Sequence, residues 1–367
     1  MNIAYRFRIY PTEEQKILLG KTFGCCRFLY NQMLNDKIQE YEKTKKMLKN
    51  TPAMYKREYP FLKEVDSLAL ANVQLHLEKA YKNFFRDPKI GFPKFKSKHH
   101  SKNSYTTNVV NGNILVESKR IRLPKLKWIA MKKHREPAKG LRLKSVTVSM
   151  EPSGKYFASL LYEGDSCENQ AAEPDYSTAK ILGIDYAMQG MAVFSEEIEM
   201  EEAGFFRKNE KRLVREQRKL SRCVRGSHNY ELQKKKVARC HEKIRNQRRD
   251  YLHKLSRKIV DSYDAVAVED IDMKAMGQCL HFGKSVHDNG YGMFREMLDY
   301  KLAWKGKKIV KVDRFFPSSK KCCQCGRIKK ELKLSERVYH CVCGNEMDRD
   351  RNAAINIREE ARRMLIA

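Results

Sequence analysis

Two close pairs of cysteines constrain the fold more than any other feature of this sequence. Two residues separate Cys322 from Cys325, and one residue separates Cys341 from Cys343, with fifteen residues between the pairs. Four thiolates at this spacing are typical of a tetrahedral zinc site. A glycine directly follows each pair, where the backbone must turn sharply. The sequence therefore predicts one structural Zn²⁺ and a small segment folded around it.

The other cysteines are not included among the predicted zinc ligands. Cys323 is an extra thiol inside the first pair. The rest are scattered and are interpreted as packing or surface residues: Cys25, Cys26, Cys167, Cys223, Cys240 and Cys279. The alternative is that the paired cysteines are also free, buried thiols.

The expected compartment supports metal ligation over disulfides. The first residues, MNIAYRFRIYP, lack the apolar segment of a signal peptide. No apolar run approaches the roughly 20 residues that a membrane span needs. We therefore expect a cytoplasmic or nucleoid-associated protein without a membrane partner, whose cysteines are reduced.

The charge of the chain indicates a polyanionic partner. The 367 residues, enough for two or three domains, carry 75 lysines and arginines against 45 acids, a net charge of +30. Such a chain attracts nucleic acid and releases condensed counterions on binding. A membrane surface is the weaker alternative, because no basic amphipathic helix accompanies a lipidation signal.

Periodicity predicts a mixed α/β chain. Residues 3–10 alternate as a strand, and Thr12 with Gln15 has the spacing of a capping box before a helical region that runs to about residue 85, broken near Pro52. Segments 143–150 and 156–163 predict a hairpin. The acidic segment 164–179 is the best linker candidate, and 206–262 predicts a long basic helical segment.

Two apolar runs that end in acids predict an active site. Residues 181–184 lead to Asp185, and residues 266–268 lead to Glu269. Side chains at such strand ends leave the core and meet solvent. Each acid alone could be a turn cap or part of a solvated loop. A third acid opens the helix in DRDRNAAIN, and three convergent carboxylates need a cation such as Mg²⁺. The set predicts a ribonuclease-H-like nuclease.

The phase of that last helix favours Asp350 over Asp348 as the third acid. If the helix begins near Met347, Ile357 lies within about 20° of Asp350 on the face that packs on the sheet. Asp348 lies about 160° away and is predicted to cap the helix. Arg349 and Asn352 are predicted to lie off the core-facing line, where they could reach phosphate or neighbouring loops.

These segments resemble a known family. GIDYAMQGMAVFS, AVEDIDM, the four cysteines and DRDRNAAINI are similar to the RuvC motifs and zinc-binding insert of the TnpB family, transposon-encoded RNA-guided nucleases related to compact type V CRISPR effectors. The resemblance covers nearly the whole chain, in family order, through these further segments: AYRFRIYPTEEQ, FGCCRFLYNQML, AYKNFF, GFPKFKSK, RRDYLHKLS, HFGKSVHDNGYGMF and FFPSSKKC.

The resemblance implies a mixed α/β, multidomain fold. Residues 1–10 and 90–170 would form a wedge β-barrel of oligonucleotide-binding type, and residues 11–89 a helical recognition lobe. Residues 171–317 and 346–367 would form a RuvC-like, ribonuclease-H-like nuclease domain. Residues 318–345 would form a zinc-binding insert that contacts target nucleic acid.

The resemblance also implies a function: an RNA-guided DNA endonuclease that recognises a short motif beside its target. Asp185, Glu269 and Asp350 would hold two Mg²⁺ ions. The partners would be a guide RNA from the transposon end and double-stranded target DNA, bound by a monomer. Alternatives are a DNA-binding regulator that does not cut, an effector with a two-part guide, or a guide-independent transposase. Because all three acids are present, cleavage is favoured.

Contacts to nucleic acid are predicted in three places. The lobe helix carries Asn72, Gln74, His76 and Lys79, and amide side chains can pair with adenine edges; a solvated helix face is the alternative. The loop GFPKFKSK contributes Lys94 and Lys96, and the basic helical segment contributes Arg248.

Overall fold

The computed structural model describes residues 2–138, 140–164, 174–187, 190–199, 204–272, 288, 290–333 and 335–367. The chain divides into two units, Met1–Ser166 and Cys167–Ala367. Most of the predicted linker, at 165–173, lies outside the described residues, as does part of HFGKSVHDNGYGMF. None of the helices described here is long and apolar enough to cross a bilayer.

Three α-helices lie among the described residues of the first unit, and the predicted helical region is interrupted twice. Thr12 and Gln15 form the predicted capping box, with the Thr12 N–H donating to Gln15 Oε1 at 3.0 Å. The predicted break near Pro52 is confirmed, because a helix begins there, and a second break precedes Ser67. The helices are α1 (Glu13–Thr44), α2 (Pro52–Glu58) and α3 (Ser67–Arg86).

A seven-stranded antiparallel sheet completes this unit. Its strands are β1 (Asn2–Tyr10), β2 (Asn103–Asn108), β3 (Leu115–Val116), β4 (Arg120–Leu123), β5 (Lys127–Lys132), β6 (Arg142–Met150) and β7 (Tyr156–Glu163), in the order β2-β6-β7-β1-β5-β4-β3. The β6–β7 hairpin confirms the prediction. Ile9 and Val148 of the sheet share one buried cluster with Leu29 and Met33 of α1, so helices and sheet form one core.

The second unit is built on a four-stranded sheet. Its strands are β8 (Ile181–Ala187), β9 (Met191–Phe194), β10 (Ala265–Glu269) and β11 (Lys308–Val312), in the order β11-β10-β8-β9. Strands β8, β10 and β11 are parallel, and β9 is antiparallel to β8. Both apolar runs predicted as strands are confirmed. Two short strands, β12 (Val338–His340) and β13 (Glu346–Asp348), pair beside the cysteines.

The described residues of this unit form four helices: α4 (Phe205–Ser221), α5 (His228–Ser262), α6 (Tyr291–Trp304) and α7 (Arg349–Ile366). The predicted long segment at 206–262 is therefore two helices, separated by a turn. Gly226 has a φ of 82° in that turn, a conformation that favours glycine. The Ser227 hydroxyl then caps α5 by accepting a hydrogen bond from the Tyr230 N–H at 3.1 Å.

Alternating residues of the central strands face different helices. Leu182, Ile184, Val266 and Val268 share a buried cluster with residues of α5 and α6. Their neighbours in sequence share another cluster with α7, which includes Ile181, Ala265, Ala267, Ile357 and Ala361. Successive side chains of a strand point to opposite faces, so helices cover both faces of the sheet.

Gly183 lets α7 cross β8 at very close range. A Cβ atom at this position would lie 2.0 Å from the Ala354 carbonyl oxygen and 2.9 Å from the Arg358 Cβ. The Ala354 oxygen is a backbone atom, and the Arg358 Cβ is bonded directly to the backbone. Neither atom can move away by a side-chain rotation. A residue without a side chain is therefore required where strand and helix meet.

We expect Gly183→Ala to lower the free energy of unfolding by about 3 kcal/mol or more, because overpacking here moves backbone. The matched control is Gly292→Ala in α6, where a Cβ would meet no heavy atom within 4 Å. Since alanine favours a helix by up to about 1 kcal/mol, the control should be neutral or stabilising. Denaturant unfolding of both variants measures the difference, and equal midpoints would contradict the close contact.

Candidate active site and cysteine cluster

Strand pairing places Asp185 and Glu269 side by side at one end of the sheet. The parallel register joins Ala267 to Gly183 and Val268 to Ile184, and the two acids occupy the next position on each strand. Both belong to the alternating set that faces α7. The carboxylates therefore meet on the face that the C-terminal helix covers.

The third acid lies at the start of that helix. Asp350 is in the first turn of α7, and Ala353, Ala354 and Ile357 behind it are buried, which agrees with the predicted phase. The helix begins at Arg349, two residues later than expected, because residues before it pair as β13. Asp348 caps it: Asp348 Oδ1 accepts a hydrogen bond from the Arg351 N–H at 2.9 Å, which confirms that prediction.

The electrostatics of the site disfavour negative charge. Burial, followed by the charges of Glu269 and Asp350, raises the pKa of the Asp185 carboxyl to about 8, although the Tyr186 N–H and Arg349 act in the opposite direction. Burial also raises the pKa of Glu269. The site holds three carboxylates and too few cations to balance their charge. A hard divalent cation fits such a set of oxygen donors.

Two arginines contact the third acid, and the sequence indicated neither contact. Arg349 Nε lies 3.3 Å and Arg337 Nη1 lies 3.8 Å from the Asp350 carboxylate. The Arg349 N–H also donates to the Arg337 carbonyl at 2.8 Å. Arg349 reaches a neighbouring loop, as predicted, by donating to the Lys333 carbonyl at 3.4 Å, and its side chain also orients Asp350 at the edge of the site. These contacts join α7 to the segment that contains β12.

We expect Asp185→Asn to raise the free energy of unfolding of the metal-free protein by on the order of 3 kcal/mol near pH 7–8. The carboxyl has a folded pKa of about 8 against about 4 when unfolded. Its contribution to stability is therefore complete below pH 4 and is lost as the pH rises towards 8. The wild type should lose stability over this range relative to the variant.

Asp261 provides a control of opposite sign. Hydrogen bonds from Lys305 and Arg257 lower the pKa of its carboxyl, so this acid stabilises the fold above the unfolded pKa. Asp261→Asn should therefore weaken the protein at neutral pH. Thermal unfolding with a chelator from pH 4 to pH 8 compares the two, and parallel wild-type and Asp185→Asn profiles would contradict the assignment.

The four paired cysteines form one cluster. Their ligand atoms all lie within 4.8 Å of one another, and they are the one such group among the described residues, so the three carboxylates are more widely spread. The Sγ atoms of Cys322 and Cys343 are 3.7 Å apart, and those of Cys325 and Cys341 are 3.6 Å apart. A tetrahedral zinc with Zn–S bonds of about 2.3 Å requires S···S distances of about 3.8 Å. The cluster therefore fits zinc.

Neighbouring groups favour the thiolate form of Cys322, which is the form that binds a cation. Burial alone would raise the pKa of the Cys322 thiol, but hydrogen bonds from the Cys325 backbone and the Asn345 amide lower it to about 6. The Asn345 Nδ2 atom lies 3.4 Å from Cys322 Sγ. Cys323 is outside the cluster, with its sulfur 3.4 Å from Met347 Sδ, and burial raises its pKa.

Two buried asparagines link the cysteine segment to α7. Asn352 accepts a hydrogen bond from the Cys323 N–H at 3.0 Å and donates to the Lys321 carbonyl at 2.7 Å. Asn356, one turn later, donates to the same carbonyl and to that of Ser318. These bonds confirm the prediction that Asn352 reaches a neighbouring loop, and the residue is fully buried there. The i, i+4 spacing of two amides beside Asp350 was the available signal in the sequence.

The residues predicted to contact nucleic acid differ in their exposure and in their hydrogen bonds within the protein. Asn72 is buried, and its Nδ2 donates to the Leu68 carbonyl within α3 at 2.9 Å. Gln74 donates to Glu78 at 2.9 Å. Lys79 and Lys94 are exposed. A reading role stays a prediction for each of them.

Lys96 and Arg248 are held by specific partners. Lys96 Nζ lies 3.8 Å from the centre of the Tyr30 ring, and this lysine lines a cavity of about 180 Å³ together with Asn72. Arg248 Nη2 lies 3.5 Å from the buried Asp288 carboxylate. In the structure Arg248 thus neutralises an internal acid.

Three family models match this chain. The model described as "Probable transposase" matches residues 160–279, and "Cas12f1-like, TNB domain" matches residues 291–357. A third, "Helix-turn-helix domain", matches residues 1–46, which here form β1 and the single helix α1. The matched ranges include Asp185, Glu269, Asp350 and the four clustered cysteines.

Two relatives match over almost the full length of this chain, and a third matches about a third of it. A protein of Streptomyces pristinaespiralis, provisionally named an RNA-guided DNA endonuclease, is 33% identical over 366 residues, covering 96% of this chain and 88% of its own length. InsQ of Escherichia coli K12, with the same provisional name, is 31% identical and covers 96% and 91%. The CRISPR-associated endodeoxyribonuclease Cas12f1 of Sulfoacidibacillus thermotolerans is 29% identical over 36% of this chain and 32% of its own.

A solved structure shares the fold. The cryo-EM structure of the Cas12f1–sgRNA–target DNA complex aligns with a TM-score of 0.59 over 98% of both chains, at 13% identity. The identity is too low to show more than the fold, whereas the full-length relatives exceed 30% identity. Together with the three matching models, they show that the chain belongs to the TnpB family.

Proposed function

We propose that this protein is an RNA-guided DNA endonuclease that recognises a short motif beside its target and cleaves DNA at one metal-dependent site. The observation that carries the proposal is the approach of three carboxylates at one end of the central sheet, with the pKa of Asp185 raised to about 8 by burial, Glu269 and Asp350. The names of the full-length relatives support the same activity.

The proposal assigns a role to each part of the chain. Residues 171–317 and 346–367 are the RuvC-like, ribonuclease-H-like nuclease domain, supported by the parallel strands that deliver two of the acids. Residues 318–345 are the zinc-binding insert. Residues 1–10 and 90–170 are the wedge barrel, and residues 11–89 the recognition lobe. The wedge barrel and the recognition lobe share one hydrophobic core, which supports their acting together.

Asp185, Glu269 and Asp350 would hold the two Mg²⁺ ions. When bound, such ions activate water and stabilise the leaving oxygen of a phosphodiester. The sheet holds Asp185 and Glu269 in place, and α7 together with Arg349 orients Asp350. Without a cation the Asp185 carboxyl retains a proton near neutral pH, and it must release that proton when a cation binds.

Cys322, Cys325, Cys341 and Cys343 would hold one structural Zn²⁺. Asn345 supports the cluster by donating to the Cys322 sulfur at 3.4 Å. The buried Asn352 and Asn356 then connect the folded segment to α7. In this proposal the metal fixes the helix start, and the helix start fixes where Asp350 lies.

The basic helices α4 and α5 would bind the guide RNA. Residues 206–258 carry 20 lysines and arginines against 5 acids. Guide RNA that neutralises ten phosphates on this surface gives a log–log slope of affinity against salt of about −7. We therefore expect a discrete RNA to co-purify, and its affinity to fall with a slope steeper than about −5. Absence of such RNA, with a nearly flat slope, would refute a guide.

One assay separates the proposed activity from its rivals. The RNA that co-purifies is sequenced, and a plasmid that carries its complement is incubated with the complex and Mg²⁺. Cleavage that requires both the match and the metal supports the endonuclease. Binding without cutting identifies a regulator. A two-part RNA identifies the type V-like alternative, and joining of strand ends without RNA identifies a transposase.

A further inference from the structure

We propose that Phe315 is a stacking platform for an unpaired DNA base beside the active site, an inference that rests on the nuclease function proposed above. Its side chain is 86% exposed, the largest fraction among the large apolar side chains of the described residues. Singly exposed apolar residues are common and need no explanation by themselves. The position, support and surroundings of this ring distinguish it.

Phe315 follows the strand next to the acids. Strand β11 ends at Val312, which pairs in register with Glu269. The Asp270 N–H donates to the Val312 carbonyl at 3.0 Å, and Arg314 Nη2 lies 3.7 Å from the Asp270 carboxylate. The turn that carries Phe315 is therefore tied to the residue after Glu269, at the same end of the sheet as the three acids.

The turn holds the ring outwards. Asp313 Oδ1 accepts a hydrogen bond from the Phe315 N–H at 2.7 Å, and the Asp313 carbonyl accepts one from the Phe316 N–H at 3.0 Å. Phe316 packs on the cluster that contains Val312. One phenylalanine thus anchors the turn while its neighbour faces solvent, so the backbone that carries Phe315 is already ordered when a base stacks on the ring.

The sequence on either side of Phe315 is basic and favours a polyanionic ligand. Residues 305–330 contain ten lysines and arginines and a single acid, Asp313. An exposed aromatic ring among cations is the composition of a single-strand binding surface, where bases stack on rings and cations meet phosphates. DNA opened by a guide RNA supplies such unpaired bases. The expected occupant is a base of the strand presented for cleavage.

The test uses the complex of the full chain with its co-purified RNA. We expect Phe315→Ala to slow single-turnover cleavage of matched DNA about tenfold, the loss of one stacked base, with target binding unchanged. Phe315→Tyr should stay within about twofold of the wild type. The control is Ile366→Ala, which removes an apolar side chain that is 57% exposed at the far end of α7 from Asp350 and should have no effect.

A direct readout of stacking accompanies the rates. In an Asp185→Asn background, 2-aminopurine placed at successive positions of each target strand should be quenched at one position, and Phe315→Ala should relieve that quenching. Unchanged quenching, or equal slowing by Phe315→Ala and Phe315→Tyr, overturns the stacking role. If the wild-type complex binds matched DNA without cutting it, the nuclease proposal fails, and the quenching still decides the stacking role.

Discussion

Replacing Asp350 by asparagine is expected to lower DNA cleavage by at least about a thousandfold while leaving guided binding to matched DNA intact. The amide cannot supply the charge that a divalent cation needs beside Asp185 and Glu269. Asp350 contacts Arg349 and Arg337 and is not part of the core, so the fold should persist. Cleavage of a matched plasmid and gel-shift binding, measured on the same preparation, separate the two effects.

Asp348 is the matched control, two residues away in the same sequence motif. It caps α7 through Arg351, so Asp348→Ala should cost about 1 kcal/mol of stability. Asp348→Asn should cost less, because asparagine also caps helices, and both variants should still cut. An inactive Asp348→Asn together with an active Asp350→Asn would show that the other acid is the ligand.

Serine at any one of the four clustered cysteines is expected to abolish zinc binding and to lower cleavage by at least about a hundredfold. A structural zinc contributes on the order of 10 kcal/mol to the folding of its segment. Without it, the loop that hydrogen-bonds Asn352 and Asn356 loses its shape, and Asp350 moves with α7. Zinc content by elemental analysis and plasmid cleavage measure the effect in Cys322→Ser, Cys325→Ser, Cys341→Ser and Cys343→Ser.

Two further variants separate the effect of losing the metal from the effect of losing the hydrogen bonds between the cysteine segment and α7. Cys323→Ser should keep both zinc and activity, because that sulfur contacts Met347 rather than the cluster. Asn352→Ala combined with Asn356→Ala should keep the zinc and still cut more slowly, since only the connection is lost. Zinc loss in the Cys323 variant would contradict the ligand set, and full activity in the double asparagine variant would contradict the link.

The strand-end acids could be predicted from the sequence because burial imposes a local pattern. A central parallel strand needs an uninterrupted apolar run, and the first acid after it marks the end of the sheet. Asp185 and Glu269 follow this rule. The position of Asp350 follows from helix phase as well, although α7 begins at Arg349 rather than near Met347. A shift of the start leaves the angle between Asp350 and Ile357 unchanged.

The contacts around those acids could not be predicted, because they join residues distant in sequence. Arg337 reaches Asp350 only because β12 and β13 pair, and Arg248 is drawn to the buried Asp288 by a contact that no local pattern reveals. Asn352 reaches a neighbouring loop as predicted, but its complete burial could not be predicted, because it depends on the segment at Lys321 and Cys323 that covers it. The turn between α4 and α5 was missed although Gly226 and Ser227 mark it in the sequence, because the basic residues on both sides favour one long helix.

The crossing of α7 over β8 also orders events during synthesis. Asp350 follows Asp185 by 165 positions in the chain, so a ribosome adding about 5–20 residues per second completes the acid set roughly 10–30 s after the first acid is made. Until then, one face of the sheet, including Ile181, Ala265 and Ala267, has no helix to cover it. A ribosome-bound chain that has not yet reached α7 therefore has no complete acid set, and its uncovered apolar surface makes it a target for chaperones.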